Sequence, residues 1–127
     1  MGFNTDMKRR DTGILGEKLA ADFLKKHSYQ IIETNYRSPS GEIDIIARQR
    51  DYLIFVEVRT KASLKFGSPE ESVTQAKKKR LIASAAHYYQ AHRDLPELWR
   101  IDFVAVELDR SGKISRIELI ENAVSES

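Results

Sequence analysis

Apolar positions first recur at helical spacing between Ile14 and His27. At 100° per residue, Leu19, Ala20, Ala21, Phe23 and Leu24 share one arc, and Lys18, Asp22, Lys25 and Lys26 lie opposite. This predicts an amphipathic helix whose end His27 caps. Glu17 breaks the pattern: the same wheel sets it inside the apolar arc, where an unpaired carboxylate is costly. Three extended runs follow, Tyr29 to Tyr36, Glu42 to Ala47 and Tyr52 to Arg59. Ser38-Pro39-Ser40-Gly41 supplies a reversal, and Arg48-Gln49-Arg50-Asp51 reads as a four-residue connection closing an antiparallel hairpin. Leu53-Ile54-Phe55-Val56 is apolar on both sides of the strand alternation, as expected of an interior strand covered on both faces. A second helix is predicted over Thr74 to Ala91, with Leu81, Ala85, Tyr88 and Tyr89 at helical spacing. Its start stays open, because Ser68-Pro69-Glu70-Glu71 also has the residues of a capped first turn. Ile101 to Leu108 reads as a strand, Asp109 to Lys113 as a turn, and Ile114 to Ile120 as a last strand. The order α-β-β-β-α-β-β predicts a mixed α/β domain with helices against a sheet.

The 127 residues, 41% of them hydrophobic, suit one domain over 1–127, with about 1–11 and 122–127 loosely held. Cysteine is absent, which excludes disulfides, thiolate catalysis and Cys-ligated metals. No apolar run approaches the ~20 residues of a membrane span, and the charged opening Asp6, Lys8, Arg9, Arg10 lacks the apolar core of a leader. A cytoplasmic protein with no membrane partner is the expectation. The net charge of +2 is unevenly spread: residues 48–80 hold nine Lys or Arg against four Asp or Glu, whereas 94–127 hold four against eight. Within the basic stretch, Lys77, Lys78, Lys79 and Arg80 stand at the start of the second helix, the unfavourable end for cations unless an anion is present. They are the candidate nucleic-acid-binding residues; a solvated helix face is the alternative.

Asp44 lies in the apolar run Gly41-Glu42-Ile43-Asp44-Ile45-Ile46-Ala47, although strands disfavour aspartate. The central run ends Phe55-Val56-Glu57-Val58-Arg59-Thr60-Lys61, where alternation puts Glu57, Arg59 and Lys61 on one face. A hairpin centred on residues 48–51 sets residue 44 roughly opposite 55, one same-face step from 57. Two adjacent carboxylates need a shared proton, a cation or a metal. Mg²⁺ or Mn²⁺ taking Asp44, Glu57 and the Val58 carbonyl, with water and phosphate oxygens completing its shell, suits phosphodiester hydrolysis. Ordinary salt bridging at a strand end is the competing reading. Histidine offers little: His87 and His92, five apart, do not share a helix face.

The strings Gly16-Glu17-x-Leu19-Ala20, Gly41-Glu42-Ile43-Asp44-Ile45-Ile46-Ala47 and Phe55-Val56-Glu57-Val58-Arg59-Thr60-Lys61 resemble the bacterial YraN-like family. The likeness continues through Ser72-Val73-Thr74, Lys77, Ala85-Ala86-x-x-Tyr89 and Arg100-x-Asp102-Phe103-Val104. That family is similar to the PD-(D/E)XK nuclease superfamily and, distantly, to archaeal Holliday junction resolvases. The resemblance implies a restriction-endonuclease-like fold with Asp44 and Glu57 as metal ligands, Glu17 as an auxiliary acid and Arg59 at the motif's lysine position. The cations of the usual Lys-Thr-Arg string are exchanged here for Arg59-Thr60-Lys61. Arginine stabilises charge but does not act as a general base, and Lys61 substitutes only if the strand runs on.

The expected function is therefore a Mg²⁺- or Mn²⁺-dependent endonuclease on structured or branched DNA, with Glu17, Asp44, Glu57, Arg59 and Lys61 as its catalytic set. A nucleic-acid-binding protein of the same fold without turnover is the alternative, and a protein-interaction domain using the acidic C-terminal portion is a third. Resolving symmetric junctions needs two active sites, which would call for a homodimer.

Overall fold

The structure, a computed structural model, describes residues 9–62 and 67–124. In chain order it has helix α1 (Arg9–Lys26), strands β1 (Gln30–Ser38), β2 (Gly41–Gln49) and β3 (Tyr52–Lys61), helix α2 (Gln75–Ala91), and strands β4 (Leu98–Leu108) and β5 (Ile114–Ile120). The five strands form one sheet in the order β1-β2-β3-β4-β5. All neighbours are antiparallel except β3 and β4, which run parallel and are joined by the α2 crossover. This is a mixed α/β domain, α-β-β-β-α-β-β, with one helix on each face of the sheet.

The central position of β3 follows from its sequence, because residues 53–58 are buried on both faces. On the α1 face, Ala20 and Leu24 pack with Ile45, Ile54, Val56, Val58, Val104 and Val106. On the α2 face, Leu81, Ala85 and Tyr88 pack with Ile43, Ile46, Leu53, Phe55 and Phe103. Burying such side chains contributes about 1.5–3 kcal/mol each, so the two layers supply most of the favourable free energy. Gly16 lets α1 sit directly on β3: a Cβ there would overlap Thr60 Oγ1 and lie 2.8 Å from Thr60 Cβ.

Several boundaries differ from expectation. Arg48 and Gln49 continue β2 and pair with Leu53 and Tyr52, so the hairpin turns on Arg50 and Asp51 alone, with Arg50 in the left-handed region at φ 55°. The expected four-residue connection is thus a tight turn, and the register shifts to Ile45 opposite Val56. Helix α2 is capped by Thr74, whose hydroxyl accepts from the Lys77 N–H at 3.1 Å. Ser68-Pro69-Glu70-Glu71 does build reciprocal caps, Ser68 N–H to Glu71 Oε1 at 2.7 Å and Glu71 N–H to Ser68 Oγ at 3.4 Å. They close only a 3₁₀ turn over Glu70–Ser72, because Val73 is extended. Arg9–Asp11, within the expected loose N-terminal stretch, form the first turn of α1. At the other end the Ala123 N–H donates to the Ile101 carbonyl at 2.8 Å and Val124 is buried. The remaining residues of the expected loose ends, 1–8 and 125–127, lie outside the described residues. Among the described residues no helix is long and apolar enough to cross a membrane.

Candidate active site

Strands β2 and β3 pair from Gln49–Tyr52 as far as Ile45–Val56, and there the ladder stops. The cause is visible in the side chains of β2. Ile43 packs in the α2 layer and Ile45 in the α1 layer, although residues two apart in a regular strand share a face. The alternation slips at Asp44, whose side chain turns into the widening gap between the strands. Its Oδ2 accepts the Val58 N–H at 2.8 Å, a donor that a regular partner strand would meet with a carbonyl. A strand residue directs its N–H and C=O to the same neighbour, so the Val58 carbonyl opens on the gap that Asp44 occupies.

Acids reach this gap from both sides of the sheet. Glu57, next to Asp44 from β3, points to the α2 face and is 2% exposed. Glu17 comes from α1, beside Gly16, and its carboxyl is pushed up to about 7, first by desolvation and then by the charges of Asp44 and Glu42. Burial likewise raises Glu57, to about 8, and Asp44 adds to the shift by repulsion; the ammonium of Lys77 works against it. Asp44 is raised by burial too, although the Val58 N–H and a hydrogen bond from Glu57 hold it back. Burial and mutual repulsion therefore both favour the protonated form of Glu57 in the absence of a further cation.

The cations are fewer than the acids. Arg59 Nη1 stands 3.4 Å from Glu57 Oε2, and its Nε donates to Ser72 Oγ at 2.9 Å. Ser72 is itself anchored on the Pro69 carbonyl. That turn is tied to the sheet by Glu70, which accepts from Arg116 at 2.8 Å, while Arg116 also meets Glu107 on β4. Lys77 Nζ lies 3.8 Å from Glu57 Oε2. Among the described residues these are the cations within 4 Å of Glu57. Lys61 extends β3 as required, opposite Glu107, but it is not one of them.

The basic run Lys77, Lys78, Lys79, Arg80 does not form one patch, since each successive residue turns by about 100°. Lys77 faces the carboxylates. The Arg80 stem runs beside Gly41, and Lys79 and Arg80 are exposed. Glu42 and Ser72 stand in the sequence inside the strings of the family resemblance, with no role attached to either. Glu42 borders Glu17 and Asp44 and pairs with Arg37 at 3.3 Å. The inward aim of Lys77 did have a signal: it is four, seven and eleven residues before Leu81, Ser84 and Tyr88, all buried on one stripe.

A second buried acid shows what a purely structural carboxylate looks like in this fold. Asp102, fully buried on β4, accepts from Arg100 Nε at 2.9 and 3.2 Å and from the Asn122 N–H at 2.8 Å. Arg100 is satisfied in turn by the Tyr29 hydroxyl at 3.0 Å. Glu57 differs, because its Oε1 is buried with no hydrogen-bond partner. A carboxylate oxygen without a hydrogen-bond partner, beside a second carboxylate, is able to serve as ligand to a hard divalent cation. No cluster of three or more His, Cys, Asp or Glu residues at metal-holding spacing occurs among the described residues. Two carboxylates and a carbonyl suit Mg²⁺ or Mn²⁺, which keep water and take phosphate oxygens; they do not suit a closed structural site.

A relative from Dehalococcoides mccartyi is 52% identical over 118 residues, 93% of this chain and 96% of its own length. One from Moorella thermoacetica is 44% identical over 92% of this chain and 98% of its own. One from Roseiflexus castenholzii is 42% identical over 94% and 98%. Each is described as a UPF0102 protein. The family profile matches residues 16–106, a span that begins at Gly16 of α1 and takes in Glu17, Asp44, Glu57, Arg59 and Lys77, so the chain belongs to the uncharacterised protein family UPF0102.

Proposed function

We propose that the protein is a metal-dependent endonuclease that hydrolyses phosphodiester bonds in structured or branched DNA. The observation that carries this reading is the buried, partnerless Oε1 of Glu57 beside Asp44. Asp44, Glu57 and the Val58 carbonyl would hold Mg²⁺ or Mn²⁺, which when bound polarises a phosphate and lowers the pKa of a nearby water. Hydrolysis joins a water oxygen to phosphorus and breaks one ester P–O bond; the water gives up a proton and the leaving oxygen gains one. Glu17, poised at about 7, can accept a proton near neutral pH. Arg59, fixed by Ser72, adds positive charge where the phosphate becomes more negative. Cleavage of a symmetric four-way junction would require two such sites, hence two copies of the chain.

The test is a panel of linear, flapped and four-way DNA substrates incubated with Mg²⁺ or Mn²⁺. Wild type is expected to cut at least one, and Asp44→Ala to lower the rate by about 10³-fold, the loss typical of a key electrostatic group, and to remove Mn²⁺ binding. Survival of every substrate, with Mn²⁺ binding unchanged in Asp44→Ala, sinks the reading.

One observation favours a second reading, nucleic-acid binding without turnover: the β3 cation beside Glu57 is an arginine, which cannot exchange a proton. Both readings use the outward cations. Changing Lys78, Lys79 and Arg80 together to alanine should reduce the slope of log affinity against log salt, by about 0.9 for each duplex phosphate no longer neutralised. An unchanged slope removes these residues from the interface.

A further inference from the structure

The lysine of the pocket comes from α2 rather than from β3. Lys77 shares its stripe with Leu81, Ser84 and Tyr88, which the core holds in place, and the Thr74 cap fixes the turn that carries it. Its side chain is 28% exposed, so the stem is packed while the ammonium opens on the gap between β2 and β3. The two cations at Glu57 are not equivalent. Arg59 already donates to Ser72 through Nε and to Glu57 through Nη1. Lys77 meets Glu57 only at 3.8 Å, longer than a hydrogen bond, so its ammonium donors are not used up by that carboxylate. An ammonium with donors to spare therefore stands on the Oε2 side of a carboxylate whose other oxygen, Oε1, is buried without a partner, in a pocket in which Glu17, Glu42, Asp44 and Glu57 outnumber Arg37, Arg59 and Lys77. A divalent cation together with a phosphate would satisfy both at once.

We propose that Lys77 contacts a nonbridging oxygen of the phosphate bound beside Asp44 and Glu57, and that Lys78, Lys79 and Arg80 do not. The inference rests on the nuclease reading of this pocket and names the group that orients the phosphate within it. The role is electrostatic, and no proton passes through Lys77.

Thymidine 3′,5′-bisphosphate serves as the probe, with Ca²⁺ in place of a cleavage-supporting metal. Calorimetric titration of wild type, Lys77→Met, Lys77→Arg and Lys25→Ala with Ca²⁺ and then with the bisphosphate separates the two binding events. Lys77→Met is expected to bind Ca²⁺ as tightly as wild type or tighter, since a competing cation is gone, and to bind the bisphosphate at least tenfold more weakly. Lys77→Arg, which keeps the charge, should lose less than tenfold, and Lys25→Ala, which removes an exposed cation from the last turn of α1, should match wild type. Unaltered bisphosphate affinity in Lys77→Met overturns the assignment while leaving the nuclease reading intact. Wild-type protein that takes up neither Ca²⁺ nor bisphosphate overturns both.

Discussion

Glu57→Gln is expected to stabilise the metal-free protein at pH 8.5 and to abolish Mn²⁺ binding and cleavage together. The carboxyl of Glu57 ionises at about 8 in the fold against about 4.5 in the unfolded chain, because ionisation leaves a charge buried beside Asp44. A folded-state pKa raised in this way means the folded protein binds more protons than the unfolded one between those values. Stability is then greatest below about 4.5 and is lost as pH rises towards about 8. Glu17, raised to about 7, acts in the same direction, whereas Glu70, lowered from 4.5 to about 2 by Arg116, gains its contribution as pH rises between those two values and adds no slope above them. A neutral amide of the same shape removes the penalty, worth about 2 kcal/mol, or about 6–10 °C in Tm for a domain of this size. Thermal melts at pH 5.5 and 8.5, with and without Mn²⁺, check it. Wild type should lose Tm between the two pH values without metal and regain it with Mn²⁺ at pH 8.5, because only the ionised carboxylates bind the metal. Glu57→Gln should show a shallower pH slope and no response to Mn²⁺. A variant melting at or below wild type at pH 8.5 would mean that the buried charge is not the strain described.

The second large effect lies under α1. Gly16→Ala is expected to cost about 3 kcal/mol or more, although alanine is a better helix former than glycine by about 1 kcal/mol. The new methyl would overlap Thr60 Oγ1 and lie 2.8 Å from its Cβ and 2.9 Å from its Cγ2, so α1 must lift from β3 or rotate. Either movement displaces the neighbouring Glu17. Urea denaturation should show the loss, and Thr60→Gly should relieve part of it in the double variant, a coupling absent for sites that do not touch. Additive losses in the cycle would place the cost elsewhere.

The architecture was legible because its signals are local. The apolar run 53–56 announced the central strand, the helical arcs announced both helices, and Asp109 to Lys113 announced the last turn, where the Asp109 side chain accepts from the Ser111 and Lys113 N–H groups at 2.8 and 3.0 Å. The acids of the pocket were legible for the opposite reason: Glu17, Asp44 and Glu57 each violate a local pattern, and the fold gathers them around Asp44. The hairpin register was not, because Arg48 and Gln49 look like turn residues until Tyr52 and Leu53 are seen to pair with them. Nor was the division of labour among Lys77 to Arg80, since four adjacent cations read as one charge run although a helix sends them in different directions. Asp102 breaks its strand pattern as Asp44 does, yet Arg100 and Asn122 satisfy it; only three-dimensional partners separate the two cases.

The fork between β2 and β3 has a dynamic corollary. Beyond Val56 the central strand keeps β4 on one side, whereas on the other its backbone is met by a single carboxylate from Asp44. The Val58 amide should therefore exchange its proton with solvent far faster than those of Leu53 to Val56, and a bound divalent cation should slow it. Deuterium uptake at that one position would register occupancy of the pocket without any turnover being observed.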